Sequence, residues 1–210
     1  MNLTHASGDF AKNTMVEASA RYEVIFTDRW NALDHVDYPP NAHYSPIVAI
    51  NHNADYRIFK LGEFATLGFQ QLSETGATQT LRDEIAEARI FNQVGRLVLT
   101  DPLFPRQDGR QIKFTINVSL DHPLLSFTTM IAPSPDWTVG LDSVNLLEEN
   151  TFINYLYFEL YATNAGTEEG DYGGNFDTNN PATFPQKEIS SLQGQLGFNA
   201  PFATVTIRKL

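Results

Sequence analysis

The alternation of apolar and polar residues divides this chain into many short strands and one helical interlude. Tyr22, Val24 and Phe26 alternate with Glu23 and Thr27, the period-two pattern of a half-buried strand. Asp34–Asn41 carries Pro39-Pro40 and reads as a loop, and Pro46–Ile50 is a short apolar run that fits a second strand. The period then changes. Phe64, Ala65, Leu67, Gly68 and Leu72 fit a helical stripe that Gly76 ends. Thr78 or Thr80 can cap a second helix over roughly Leu81–Ile90, with Leu81, Ile85 and Ala88 on one face.

Strand signals resume at Arg96–Thr100. Phe104–Gly109 reads as a turn punctuated by Pro105 and Asp108-Gly109. In Ile112–Leu120 the residues Ile112, Phe114, Ile116, Val118 and Leu120 share one face, and Lys113, Thr115, Asn117 and Ser119 share the other. Leu124–Ile131 and Thr151–Tyr161 are apolar, β-branched and aromatic, the signature of central strands. Tyr172–Pro185 is rich in Gly, Asn and Pro and reads as a long loop, and Phe202–Ile207 alternates as a closing strand. Met1–Ala20 is mixed and polar and reads as a flexible lead-in, residues 1–20, to a single domain over 21–210. Many strands and two short helices predict an all-β fold, a β-sandwich with a short helical insertion.

Composition narrows the class. At 210 residues, with 42% hydrophobic and 12% aromatic content, the chain can bury one good core. A net charge of −11 argues against binding nucleic-acid phosphate. The absence of Cys excludes disulfides, zinc–thiolate sites and cysteine nucleophiles. No apolar run reaches transmembrane length, and the N-terminus lacks an apolar signal core, so a signal peptide is expected only if already removed. Charge is also unevenly placed. No Lys or Arg lies between Phe114 and Gln186, a stretch holding ten Asp and Glu. Such a segment repels itself unless its acids are solvated or share a cation.

Two loops in that stretch are suited to a cation. In Ala132–Gly140, Pro133 and Pro135 fix φ and withhold ladder donors, so that Asp136 projects from a stiff turn with Trp137 as anchor. In Thr163–Gly170, Gly166 and Gly170 loosen a loop in which Asn164, Glu168 and Glu169 offer side-chain oxygens. Carboxylate and carbonyl oxygens at one end of a sandwich suit a hard cation. Trp137, Tyr172 and Phe176 are the aromatics able to meet a ligand there, by stacking on a sugar ring, although packing inside the sandwich is the expected role of Trp137. Other chemistries find little support. Acids are too plentiful for a glycosidase pair to stand out, and no Gly-x-Ser-x-Gly elbow is present. His43 and His52 are expected to satisfy loop hydrogen bonds.

Taken in order, Tyr22–Phe26, Ala42-His43-Tyr44-Ser45-Pro46, Gly62–Gly76, Met130–Gly140, Asn164–Gly170 and Pro181–Ile189 resemble the spondin domain, the module of F-spondin and mindin. The resemblance covers nearly the whole chain from about Tyr22. Pro-Ser-Pro-Asp-Trp at 133–137 and Asn-Ala-Gly-Thr-Glu at 164–168 are its most specific parts. It implies a C2-like antiparallel β-sandwich that binds calcium at one end and serves extracellular adhesion or recognition, without catalysis. It implies metal ligands at Asp136, Asn164 and Glu168, where the family usually has aspartate at the last two. Asn164 removes a charge and Glu168 adds a methylene, so the site should be weak, near the roughly 10⁻⁴–10⁻³ M range of extracellular modules. Glu169, Asp142 and Asp171 are further candidate ligands. The animal members carry cysteines, so the resemblance is to a bacterial member. A secreted or cell-surface location follows, with a surface or matrix protein or a glycan as partner. The alternative is a structural or assembly subunit that self-associates through its N-terminal arm or an edge strand.

Overall fold

The computed structural model describes residues 17–35, 38–104, 110–170 and 180–210. In chain order the elements are β1 (Ser19–Asp28), β2 (His43–Tyr44), β3 (Val48–His52), α1 (Leu67–Thr75), α2 (Gln79–Ile90), β4 (Val94–Leu99), β5 (Gln111–Ser119), β6 (Leu124–Ala132), β7 (Trp137–Asn145), β8 (Leu147–Glu148), β9 (Thr151–Phe152), β10 (Tyr155–Leu160), β11 (Thr163–Asn164), β12 (Ser190–Ser191) and β13 (Ala203–Lys209). Most of the turn expected at Phe104–Gly109, most of the lead-in, Asp171 and the 172–179 part of the long loop lie outside the described residues. β1 already includes Ser19 and Ala20.

The strands form a sandwich of antiparallel sheets. The smaller sheet runs β10-β13-β1-β5, and the larger runs β12-β11-β7-β6-β3-β4 with β2 added beside β6. Between them lies the main core. Tyr22, Val24 and Phe26 from β1 and Phe114, Ile116 and Val118 from β5 meet Leu125, Phe127 and Ile131 from β6 and Val139 from β7. Each such fully buried side chain contributes roughly 1.5–3 kcal/mol.

A second core covers the other face of the larger sheet. Phe69 and Leu72 of α1 and Leu81, Ile85 and Ala88 of α2 pack on Val48, Ile50, Met130 and Ala132. This explains why β3 and β6 read as unbroken apolar runs: all five residues of β3, and all of β6 after Leu124, are buried. Two contacts set the helix pair. The Thr66 side chain caps α1 by accepting from Phe69 N at 3.2 Å, and Glu84 of α2 accepts from Thr66 Oγ1 and Gly68 N at 2.8 and 2.7 Å. Gly68 sits where the helices nearly touch, since a Cβ there would lie 2.5 Å from Leu81 Cα.

Some expectations shift. The α2 face of Leu81, Ile85 and Ala88 is as expected, and Gly76 ends α1. The α1 stripe is out of phase: Phe64 and Leu67 are exposed, and Gly68, Phe69, Leu72 and Ser73 are the buried residues. Thr151–Tyr161 is not one central strand. It holds β9 and then β10, an edge strand that turns Tyr155 and Tyr157 to solvent. β7 was not expected as a strand.

Tyr44 ties the two sheets at one corner. Its buried hydroxyl donates to Asp28 Oδ1 at 3.0 Å and lies 2.6 Å from Phe202 O, and Trp30 N donates to the same Asp28 oxygen at 2.9 Å. Burial, with Asp28 beside it, holds the phenol well above its ordinary range, so it stays a donor. Tyr44→Phe is expected to lower stability by about 1–3 kcal/mol through the lost acceptor partners. Urea unfolding should show a lower midpoint with an unchanged slope.

Candidate functional site

The hairpin loop joining β6 to β7 is 133–136, four residues that include both prolines. Ser134 Oγ accepts from Trp137 N at 3.1 Å and closes the turn. Trp137 then enters β7, buried and edge-on to Phe198 with centroids 4.9 Å apart. It is the loop's anchor and not a residue presented to a ligand.

Asp136 is fully buried. Its Oδ2 accepts from Thr167 N at 2.7 Å, Glu168 N at 3.1 Å and Thr167 Oγ1 at 3.3 Å. Its carbonyl accepts from Ala165 N at 3.1 Å, and β11 places Asn164 opposite Trp137. One residue of the first loop therefore organises the backbone of the second. Asn164 Oδ1 accepts from Gly166 N at 2.7 Å, a local turn that leaves the oxygen a second lone pair. Gly166 has φ +76°, and a Cβ on it would lie 2.2 Å from Lys187 O. Glu168 is partly buried, and its Oε2 is shielded from solvent.

The structure thus brings Asp136, Asn164 and Glu168 to one end of the sandwich as neighbouring residues. The additional candidates stand differently. Asp142 lies six residues further along, roughly 20 Å at strand rise. There it pairs with Arg57 at 3.0 Å and accepts from Ser143 Oγ at 2.6 Å, which removes it from the loop pair. Glu169 is adjacent but exposed, 3.5 Å from Lys187 Nζ. Asp171, Tyr172 and Phe176 lie outside the described residues. His52 is buried between Asn53 O and Ser126 Oγ, each 2.7 Å away, and His43 Nδ1 lies 2.8 Å from Asn41 O.

Glu74 was not anticipated at the site. Burial pushes the Asp136 carboxyl above its ordinary value, the Thr167 and Glu168 donors pull it back, and the charge of Glu74 on α1 pushes it up again. Nothing local in the sequence joins Glu74 to Asp136. Only the packing of α1 over β6 and β7 does. Asp136 Oδ1 is buried with no hydrogen-bond partner among the described residues. A buried carboxylate oxygen with no partner among the described residues, under the field of a second acid, fits a cation's chemistry. No three His, Cys, Asp or Glu side chains form a metal-holding group among the described residues. A cation here would therefore draw on Asp136 and Glu168, the carboxamide of Asn164 and main-chain carbonyls.

Two antiparallel sheets packed face to face, with a helical cover and paired loops at one end, make this an all-β sandwich module. The chain belongs to the spondin N-terminal domain family, described as Spondin_N, which matches residues 20–209. It is similar to Spondin-2 of Rattus norvegicus, 33% identical over 177 residues, covering 82% of this chain and 52% of the relative. Spondin-2 of Homo sapiens is 31% identical over 179 residues, covering 83% and 53%. Spondin-1 of Bos taurus is 28% identical over 191 residues, covering 88% and 23%. The chain spans about half the length of the spondin-2 relatives and about a quarter of spondin-1.

Two outcomes are expected of this geometry. The folded chain binds a proton at Asp136 more tightly than the unfolded chain, whose value is about 3.9. The carboxyl's contribution is therefore most favourable below that value and declines as pH rises through the raised folded value. In chelator, parent stability minus that of Asp136→Asn should fall with rising pH across this window, read by urea titrations at each pH. Gly166→Ala adds a strained φ to a backbone clash and should cost about 2–4 kcal/mol, measured as a thermal-midpoint loss.

Proposed function

We propose that this chain is a calcium-binding extracellular recognition module that works without catalysis. The observation that carries the reading is the buried Asp136 carboxylate, with one oxygen locked by Thr167 and Glu168 and the other without a hydrogen-bond partner among the described residues. Asp136, Asn164 and Glu168 would hold the ion. Calcium, when bound, supplies positive charge that offsets the burial of Asp136 and the nearby Glu74, and it stiffens the two loops it joins. The chain's own residues supply the frame: Asp136 Oδ2 orders 165–168, Gly166 permits the close turn, and Trp137 fixes the first loop below.

The spondin family membership and the relatives named above support a secreted or cell-surface setting, with a surface or matrix protein or a glycan as partner. No helix among the described residues is long and apolar enough to cross a membrane. The lack of Cys fits a bacterial member. The Ser126–His52 contact is buried inside the sheet with both residues inaccessible, which favours a packing role over nucleophilic chemistry.

The test is a thermal melt in chelator and in millimolar calcium, for the parent and Asp136→Ala. The parent midpoint should rise with calcium by mass action, with about 2.7 kcal/mol gained at a hundredfold excess over Kd. Asp136→Ala should start lower and show no rise. A parent indifferent to calcium at ten millimolar would remove the metal from this reading.

A further inference from the structure

The outer face of the smaller sheet has a character opposite to that of the loop end. Along β10, Leu156 and Phe158 pack inward, so Tyr155 and Tyr157 share the outer face, 57% and 50% exposed. The strand register lays out the rest of that face. Tyr155 stands beside Arg208, which stands beside Glu23 and then Thr115. Tyr157 stands beside Thr206, Ile25 and Lys113 in the next row. Arg21 stands beside Asn117 at the end of the face. Where β5 meets β4, Arg21, Arg96, Thr115 and Asn117 line a cleft of about 250 Å³ floored by Leu97, Val98 and Ile116.

The charges are unusual for this molecule. Arg21, Lys113 and Arg208 gather on the outer face of the smaller sheet, and Arg96 of β4 meets Arg21 in the cleft at its β5 edge, in a chain whose net charge is −11. Against them stand Glu23, paired with Arg208 at 2.9 Å, and Glu159, which accepts from Tyr161 at 3.0 Å. Arg21 reaches only the Thr115 hydroxyl, at 3.3 Å, and Arg96 makes no side-chain ion pair or hydrogen bond among the described residues. Two guanidinium groups over one cleft can grip an oxyanion with their planar forks. Exposed tyrosines offer flat apolar faces with a wet polar edge, suited to the C–H face of a pyranose ring. From β10 to β5 the platform measures three strand spacings, roughly 14 Å.

We propose that this face docks an acidic polysaccharide, a chain of pyranose rings bearing carboxylates. Its rings lie on Tyr155 and Tyr157, and one carboxylate enters the Arg21–Arg96 cleft. The occupant is set by charge complementarity, since an acidic molecule that gathers its cations on one flat face selects for an anionic partner. The ring stacking distinguishes a sugar chain from an acidic peptide. The proposal rests on the recognition role given above but on none of its metal residues, so binding is measured in chelator and its failure leaves the calcium reading untouched.

The experiment is calorimetry of the whole chain, produced without glycosylation, against oligogalacturonate of six units, maltohexaose and polyglutamate of matched charge. Oligogalacturonate should bind in chelator and weaken as salt rises. The double variant Arg21→Gln/Arg96→Gln should weaken binding by about tenfold or more, and Tyr155→Ala/Tyr157→Ala by about fivefold. Arg82→Gln on α2 should leave it unchanged. All variants lie on the surface and should keep the parent's circular dichroism and melting curve. Failure of oligogalacturonate to bind, equal binding of polyglutamate, equal binding of maltohexaose or an equal loss with Arg82→Gln would each overturn the proposal.

Discussion

The larger sheet must be covered on both faces, and the rest of the architecture follows from that requirement. β3 and β6 carry apolar residues on each side, so one sheet laid against them cannot bury them. The helical insertion between β3 and β4 supplies the second cover through Phe69, Leu72, Leu81 and Ile85. Covering the sheet in this way fixes where α1 lies. Its C-terminal end reaches Ala132 and Pro133, so that Thr75 and Gly76 share a cavity with them. That placement brings the charge of Glu74 to bear on Asp136. A packing demand in the sheet thereby becomes an electrostatic condition at the loop end.

Asp136 then feels two opposed influences. Burial disfavours its charge, and donors from Thr167 and Glu168 favour it, with burial the larger. Glu74 adds to the burden. The carboxylate is retained at this cost because it does geometric work: the same oxygen that resists desolvation holds the 165–168 backbone in place. A cation at Oδ1 would answer both difficulties together. It would replace lost solvation and offset the like charge, without disturbing the bonds to Oδ2. A weak cation site is the natural complement of a carboxylate that is already half satisfied.

The β-rich pattern and the helical interlude were legible from the sequence because they rest on period, which burial of one face enforces. β7 was missed because Gly140, Asp142, Ser143 and Asn145 interrupt its apolar positions. Its pairing with β6 shifts register between Leu125 and Phe127, and Ser143 takes φ +52°. Tyr155 and Tyr157 looked central because aromatic residues usually are. Their exposure comes from β10 lying at an edge, a property of topology that alternation cannot reveal. The stripe through Phe64 and Leu67 failed because Thr66, not an apolar residue, fixes where α1 begins. At the loop end the same division holds. Asp136, Asn164 and Glu168 were legible as short motifs, whereas Glu74, 62 residues earlier, and the Arg57 and Lys187 partners of Asp142 and Glu169 arrive by tertiary packing alone.

Net charge proved a coarser guide than charge placement. At −11 the whole chain repels polyanions, but in physiological salt a charge is felt over only about 8 Å. A flat face carrying Arg21, Lys113 and Arg208, with Arg96 at its β5 edge, therefore presents its own sign, whatever the acids at the far end contribute. The spacing of those cations also selects among polyanions. Duplex DNA carries a charge every ~1.7 Å along its axis, far denser than three cations spread over three strand spacings of about 4.8 Å with a fourth at the edge beyond them. A sugar chain with one carboxylate per ring has the sparser charge such a face can match. Its rings, unlike phosphates, gain from lying on Tyr155 and Tyr157. The sparse cations and the tyrosines on the outer face thus favour the same class of partner, for independent physical reasons.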